Sequence, residues 1–170
     1  MGLLLFSVSL FLVFGLLSLE TALAQTVNIK SALQSLVETL DQLSKVNPQN
    51  KTEEIKIRKS ALKNILLLAA AESNDLKNRL IEIEGLDDGH LELRDNLLKE
   101  LGNHANYYAS LSDSLEKETN LAKIKNLANQ FKDWRKIAYY PTLQKVVNFL
   151  LVFEGRDVLT LAEGRLKNIS

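Results

Sequence analysis

Helical proteins that carry out chemistry usually do so through a bound metal or haem, and histidine is where such a site would begin. This chain has two, His90 and His104. Carboxylate-bridged di-metal bundles need Glu-x-x-His on two different helices. No Glu-x-x-His occurs here, both histidines fall in one predicted helix, and the nearest carboxylate pattern is Glu100, four residues before His104. That spacing reads as two neighbours on the surface of one helix, so no metal ligands are assigned. Haem held by Met and His is excluded on the methionine side, because Met1 is the only methionine and is lost with the expected signal peptide. No cofactor is expected.

Hydrolysis would need a nucleophile, a base and an orienting group converging on a pocket. None of the serines stands in Gly-x-Ser-x-Gly, and no glycine-rich phosphate loop occurs. The paired acids Glu53-Glu54 and Asp87-Asp88 lie at predicted helix starts, where capping and the helix dipole account for them. No catalytic residue is assigned, and the chain does not read as an enzyme.

The most distinctive grouping is aromatic. Phe131, Trp134, Tyr139, Tyr140, Phe149 and Phe153 gather around Pro141, interleaved with Lys132, Arg135 and Lys136. Two readings stand side by side. Aromatic and Arg residues dominate binding hot spots, which makes Trp134, Arg135, Tyr139 and Tyr140 a candidate partner-binding face. The same residues also suit a core layer of large side chains where two helices meet at a break, with tyrosine hydroxyls reaching solvent.

The elements that must position these residues follow from periodicity. Apolar residues recur at three- and four-residue steps and strand alternation is nowhere sustained. Ile29, Leu33, Leu36, Leu40 and Leu43 form one coiled-coil-like stripe, ended by Asn47-Pro48-Gln49-Asn50. Asn50 with Glu53 resembles a capping box at the start of a second helix, whose stripe is Leu62, Leu66, Ala69, Ser73, Leu76, Leu80 and Ile83. Residues 65–71 are apolar all round, so this helix needs cover on several sides.

Gly85 closes the second helix, and an aspartate opens the next, which carries Leu93, Leu97, Leu101, His104, Tyr108, Leu111 and Leu115. A softer break near Thr119-Asn120 precedes the stripe Leu121, Ile124, Leu127, Phe131, Trp134 and Ile137. Pro141 marks either the first turn of a new helix or a kink in a long one. The dense apolar block at residues 146–153, too short to span a membrane, is expected to be core. The fold expected is all-α: an up-and-down bundle of four to five antiparallel helices behind an N-terminal hydrophobic targeting helix.

That leading segment, residues 3–19, has no charge and no proline, and Ala22-Leu23-Ala24 before Gln25 fits a signal-peptidase site. Residues 1–24 are therefore expected to be a signal peptide cut between Ala24 and Gln25. The absence of Lys and Arg there, together with the length of the apolar run, leaves an uncleaved membrane anchor as the rival. Residues 25–170 then make a single domain on the far side of a membrane, secreted or in the cell envelope.

Composition narrows its partners. Lys plus Arg and Asp plus Glu are equal at 21 each, which argues against nucleic acid. The absence of cysteine leaves stability to packing alone. Two glycosylation acceptor patterns, at Asn50 and Asn168, are weighed against the capping job of Asn50. The expected function is an exported, non-catalytic helical module that binds a protein partner, with membrane contact through residues 1–24 if they are retained. A lipid-binding amphipathic bundle is the alternative.

Overall fold

The structure is a computed structural model that describes residues 22–47 and 50–167. Those residues are all helical: α1 (Ala22–Lys45), α2 (Lys51–Ile81), α3 (Asp88–Lys117), α4 (Leu121–Trp134) and α5 (Tyr140–Lys167). A five-residue π-turn, Arg135–Tyr139, joins α4 to α5 without a break, so the described residues form four rods. The targeting segment through Thr21 and the acceptor at Asn168 lie outside the described residues. Ala24 and Gln25 fall in the first turn of α1.

Side-chain caps set three of the helix starts. The Asn50 amide oxygen accepts from the Glu53 N–H at 3.2 Å, and its amide nitrogen donates to the Glu53 carboxylate at 2.8 Å. Asp87 accepts from the His90 N–H at 2.9 Å, and Asn120 accepts from the Ala122 and Lys123 N–H groups. Each satisfies a donor that the first helical turn would otherwise leave unpaired. The soft break read at Thr119-Asn120 is thus a firm one, made by the Asn120 side chain. Gly85 takes φ +67°, a left-handed conformation that glycine adopts without steric cost, in the turn between α2 and α3.

α2 is the axis of the packing. It lies against α3 on one side and α1 on another, while α4 and α5 also reach it. This is the cover its apolar middle requires, although Leu67 still faces outward. The start of α2 meets the end of α3, where Lys63 and Lys59 pair with Glu116. Phe153 of α5 meets His90 at the start of α3, with ring centroids 5.0 Å apart. The core comprises Leu62, Leu66, Ala69, Leu76 and Leu80 of α2, Leu97, Leu101, Tyr108, Leu111 and Leu115 of α3, and inward residues of the long rod. Leu36 of α1 and Ile57 and Ala61 of α2 are buried outside this cluster.

The π-turn corrects two expectations. A continuous α-helix would carry the α4 stripe from Phe131 and Trp134 on to Ile137. The Tyr140 N–H instead bonds the Arg135 carbonyl, five residues back. One extra residue rotates everything downstream by about 100°. Tyr139, Thr142, Val146, Phe149, Leu150 and Phe153 turn inward as a result, and Ile137 is left 76% exposed. The apolar block expected to be core is only half so, since Leu151 and Val152 are 63% and 64% exposed. A helix resting on neighbours along one side has no cover for its other side. The wide turn also falls where the Pro141 ring would press on the Ile137 carbonyl in a regular helix. Leu40 and Leu93, expected on buried stripes, are exposed as well.

Leu101 is fully buried and Leu151 is not, so truncation should separate them sharply. Leu101→Ala is expected to cost about 2–5 kcal/mol in urea unfolding followed by circular dichroism, and Leu151→Ala within about 0.5 kcal/mol of nothing. Equal losses at the two positions would contradict the burial pattern.

Candidate functional site

The polar side chains that α3 and the long rod bring together converge at the π-turn. His104 lies on the inward stripe of α3 between Leu101 and Tyr108, and is only 5% exposed. Its pairing with Glu100 is therefore not the surface pair of one helix that the spacing suggested. Trp134, in the last turn of α4, brings its indole Nε1 to 3.0 Å from His104 Nδ1. Thr142, in the first turn of α5, places Oγ1 3.1 Å from His104 Nε2 and 2.7 Å from Glu100 Oε2. Lys145, one turn further on, reaches both Glu100 oxygens at 3.0 and 3.2 Å.

Donor and acceptor roles in this chain of contacts are fixed by one residue. Indole N–H can only donate, so Nδ1 of His104 must accept and the imidazole proton must sit on Nε2. Nε2–H then donates to Thr142 Oγ1, whose own hydroxyl proton goes to the Glu100 carboxylate. Both ring nitrogens of His104 are thereby occupied from inside the protein. Burial lowers the pKa of His104, and the positive charge of Arg135 adds to this against the opposing pull of Glu100. For Glu100, partial burial opposes ionisation, yet the Thr142 hydroxyl and the Lys145 ammonium outweigh it and hold the carboxyl below its usual range.

A second polar pair lies beside the first. Arg135 Nη1 donates to Glu72 Oε2 of α2 at 2.7 Å, and its guanidinium lies 4.4 Å from the centroid of the Tyr139 ring. Burial works against the Arg135 charge, but the hydrogen bond and charge of Glu72 outweigh it and raise the pKa further. Tyr107 stacks on Trp134 with centroids 4.0 Å apart and planes 18° from parallel, closing the outer side of the indole. Such a stack is worth roughly 0.5–1.5 kcal/mol beyond the area it buries.

Inside this layer are the Tyr108 and Tyr139 hydroxyls, the two buried side-chain polar groups without a hydrogen bond among the described residues. Arg135 stands near the first and Ser73 near the second, neither in hydrogen-bonding geometry. Burial raises both phenol pKa values well above the ordinary one.

The four residues read as a partner-binding face therefore part company. Tyr139 is wholly enclosed, Trp134 and Arg135 are partly buried and committed to His104 and Glu72, and Tyr140 is exposed. Thr142 escaped the sequence reading. Its only signal was a place four residues before Val146, on the stripe that continues inward along α5. Among the described residues no cluster of His, Asp and Glu has the arrangement to hold a metal ion, and no helix is long and apolar enough to cross a membrane. No protein-family model, curated protein or solved structure matches this chain.

The contacts of His104, Trp134, Thr142 and Glu100 join α3 to the long rod, each of these four polar groups being engaged by another residue of the chain. Two substitutions test the assignment by denaturant unfolding. Thr142→Val leaves a buried imidazole N–H without an acceptor and should cost about 1–3 kcal/mol. Tyr139→Phe removes an unpaired buried hydroxyl and should be neutral or stabilising by about 1 kcal/mol. A loss above about 2 kcal/mol for Tyr139→Phe would mean that the hydroxyl has a partner.

Proposed function

We propose that this chain is an exported, non-catalytic interaction module: an up-and-down bundle of antiparallel rods that presents the outward side of α5 to a protein partner. The observation that carries this reading is the exposed strip Ile137, Tyr140, Val147 and Leu151, with Val152 at its edge. From Tyr140 the strip continues through Gln144, Val147 and Leu151 in 4-3-4 steps, the spacing of one helix face. Val147 is half-buried and the others are exposed. Exposed large apolar side chains are ordinary when scattered and informative when aligned.

The composition of this face favours a protein over a lipid surface. The polar residues among its apolar ones are the uncharged Gln144 and Asn148. Of the neighbouring cations, Lys145 and Arg135 are directed to Glu100 and Glu72 of the same chain, and only exposed Lys136, beside Ile137, is left to face outward at this end of the strip. A bundle that lies on membranes would line such a strip with free Lys and Arg to meet lipid headgroups. The partner that fits is a second amphipathic helix offering an apolar stripe of its own.

Photo-crosslinking groups placed at Ile137 and Leu151 of the full chain, in its host, should capture one protein that a group at exposed Asp113 does not. Ile137→Glu with Leu151→Glu should reduce that capture at least about tenfold, the loss expected from hot-spot residues, without changing the unfolding midpoint. Equal capture from all three positions would sink the reading. Flotation of the chain with neutral or anionic vesicles, abolished by the same pair of substitutions, would turn it towards lipid.

A further inference from the structure

We propose that the contact between His104 and Trp134 is an acid-sensitive latch, which holds the π-turn of the long rod against α3 while the imidazole is neutral and releases it when the imidazole gains a proton. The proposal stands apart from the partner surface on α5 and does not depend on it. It rests on a geometric conflict. Nδ1 of His104 accepts from an indole N–H at 3.0 Å. Protonation puts a hydrogen on Nδ1, so two donors then point at each other, and indole has no alternative role to offer. A buried unmade contact between donors is not tolerated, and one ring must leave.

The ring free to move is Trp134. His104 is fixed within α3 between buried Leu101 and Tyr108, whereas Trp134 ends α4 at the boundary of the π-turn. Its outward displacement would unstack Tyr107 and uncover the Nδ1 edge of His104.

The groups facing His104 come from every element packed around it. α3 supplies Glu100, whose negative charge favours protonation. α4 supplies Trp134, and the π-turn supplies Arg135 and Tyr139, the first a positive charge that disfavours it. α5 supplies Thr142 and Lys145, the latter bound to Glu100 and so reducing that residue's pull. α2 supplies Glu72, which is taken up by Arg135. The directional hydrogen bond from Trp134 and the burial of the ring thus act on the same side, as does Arg135, and only Glu100 acts against them.

The sign of the pH effect follows. The imidazole is harder to protonate in the folded chain than in the unfolded one, whose ordinary value is 6.5. Its contribution to stability is complete above that value and declines as pH falls below it towards the folded value. A single proton of linkage reduces the folding equilibrium constant by at most about tenfold per pH unit within that interval. Against its partial burial, Glu100 is held below its ordinary 4.5 by Thr142 and Lys145.

The test is nitrogen-resolved NMR of the full chain, recording the imidazole nitrogens and the Trp134 indole N–H from about pH 7.5 down to about pH 5. At the upper end His104 should be the neutral Nε2–H tautomer, with a protected indole N–H. As pH falls, His104 protonation and loss of indole protection should share one midpoint below that of the free imidazole. His104→Asn, which places an amide oxygen where Nδ1 stood, should keep the indole protected throughout. Finding the Nδ1–H tautomer at neutral pH overturns the proposal even if that variant does not fold. So does an indole signal that stays protected while His104 titrates, or one that loses protection at the same pH in the Asn variant.

Discussion

Trp134 can only donate, and this restriction governs the middle of the molecule. It fixes the tautomer of His104, which directs the second ring nitrogen at Thr142, which in turn directs the threonine proton at Glu100. Each group in the series has a single role left once its predecessor is set. Two helical rods that otherwise meet through apolar contacts, the Lys145–Glu100 pair and the Tyr107 hydroxyl on the Gln130 carbonyl are thereby held in one angular relation. Apolar burial supplies most of the driving force for their association but little of its geometry, since a stripe of leucines accepts several rotations and a chain of hydrogen bonds accepts one.

The π-turn is what allows that chain of contacts to close. Trp134 belongs to the register of α4 and Thr142 to the register of α5, and the two differ by the residue inserted between them. Without the insertion Ile137 would continue the stripe. With it, Tyr139 faces inward while the apolar side chains of Ile137 and Val152 are displaced to the surface beside Leu151. The polar centre and the exposed strip on α5 are therefore two consequences of one irregularity. The unpaired hydroxyl of Tyr139 is a third, since this ring is brought inward beside Tyr108 of α3, whose own hydroxyl is also without a partner.

Much of the architecture was legible because helices announce themselves by period. The stripes of α2 and α3 are buried at Leu62, Leu66, Ala69, Ser73, Leu76 and Leu80 and at Leu97, Leu101, His104, Tyr108, Leu111 and Leu115, as their spacing predicts. The pairing of Asn50 with Glu53 was equally visible, being a contact over three residues. What periodicity could not convey was the point at which it changes. Nothing in Arg135-Lys136-Ile137-Ala138-Tyr139 distinguishes a wide turn from a regular one, and Pro141 signals a disturbance without saying which kind. The outward turn of Ile137 follows from that one residue of register, and Leu151 and Val152, expected in the core, are exposed because α5 has cover along one side only. His104 was placed on the correct stripe, yet its partners lie 30 and 38 residues away, beyond the reach of any local pattern.

Trp134, His104 and Thr142 act as one unit across the contact between α3 and the long rod. The most direct measurement is a double-mutant cycle between Trp134→Phe and Thr142→Val, read as unfolding free energy at neutral pH. Two residues joined only by a shared apolar layer would give losses that add to within about 0.3–0.5 kcal/mol. If the donor role of Trp134 sets the tautomer that Thr142 needs, the losses will depart from additivity by more than about 0.5 kcal/mol. Additive losses would show that the two hydrogen bonds of His104 are independent, and the interaction on which this description depends would not exist.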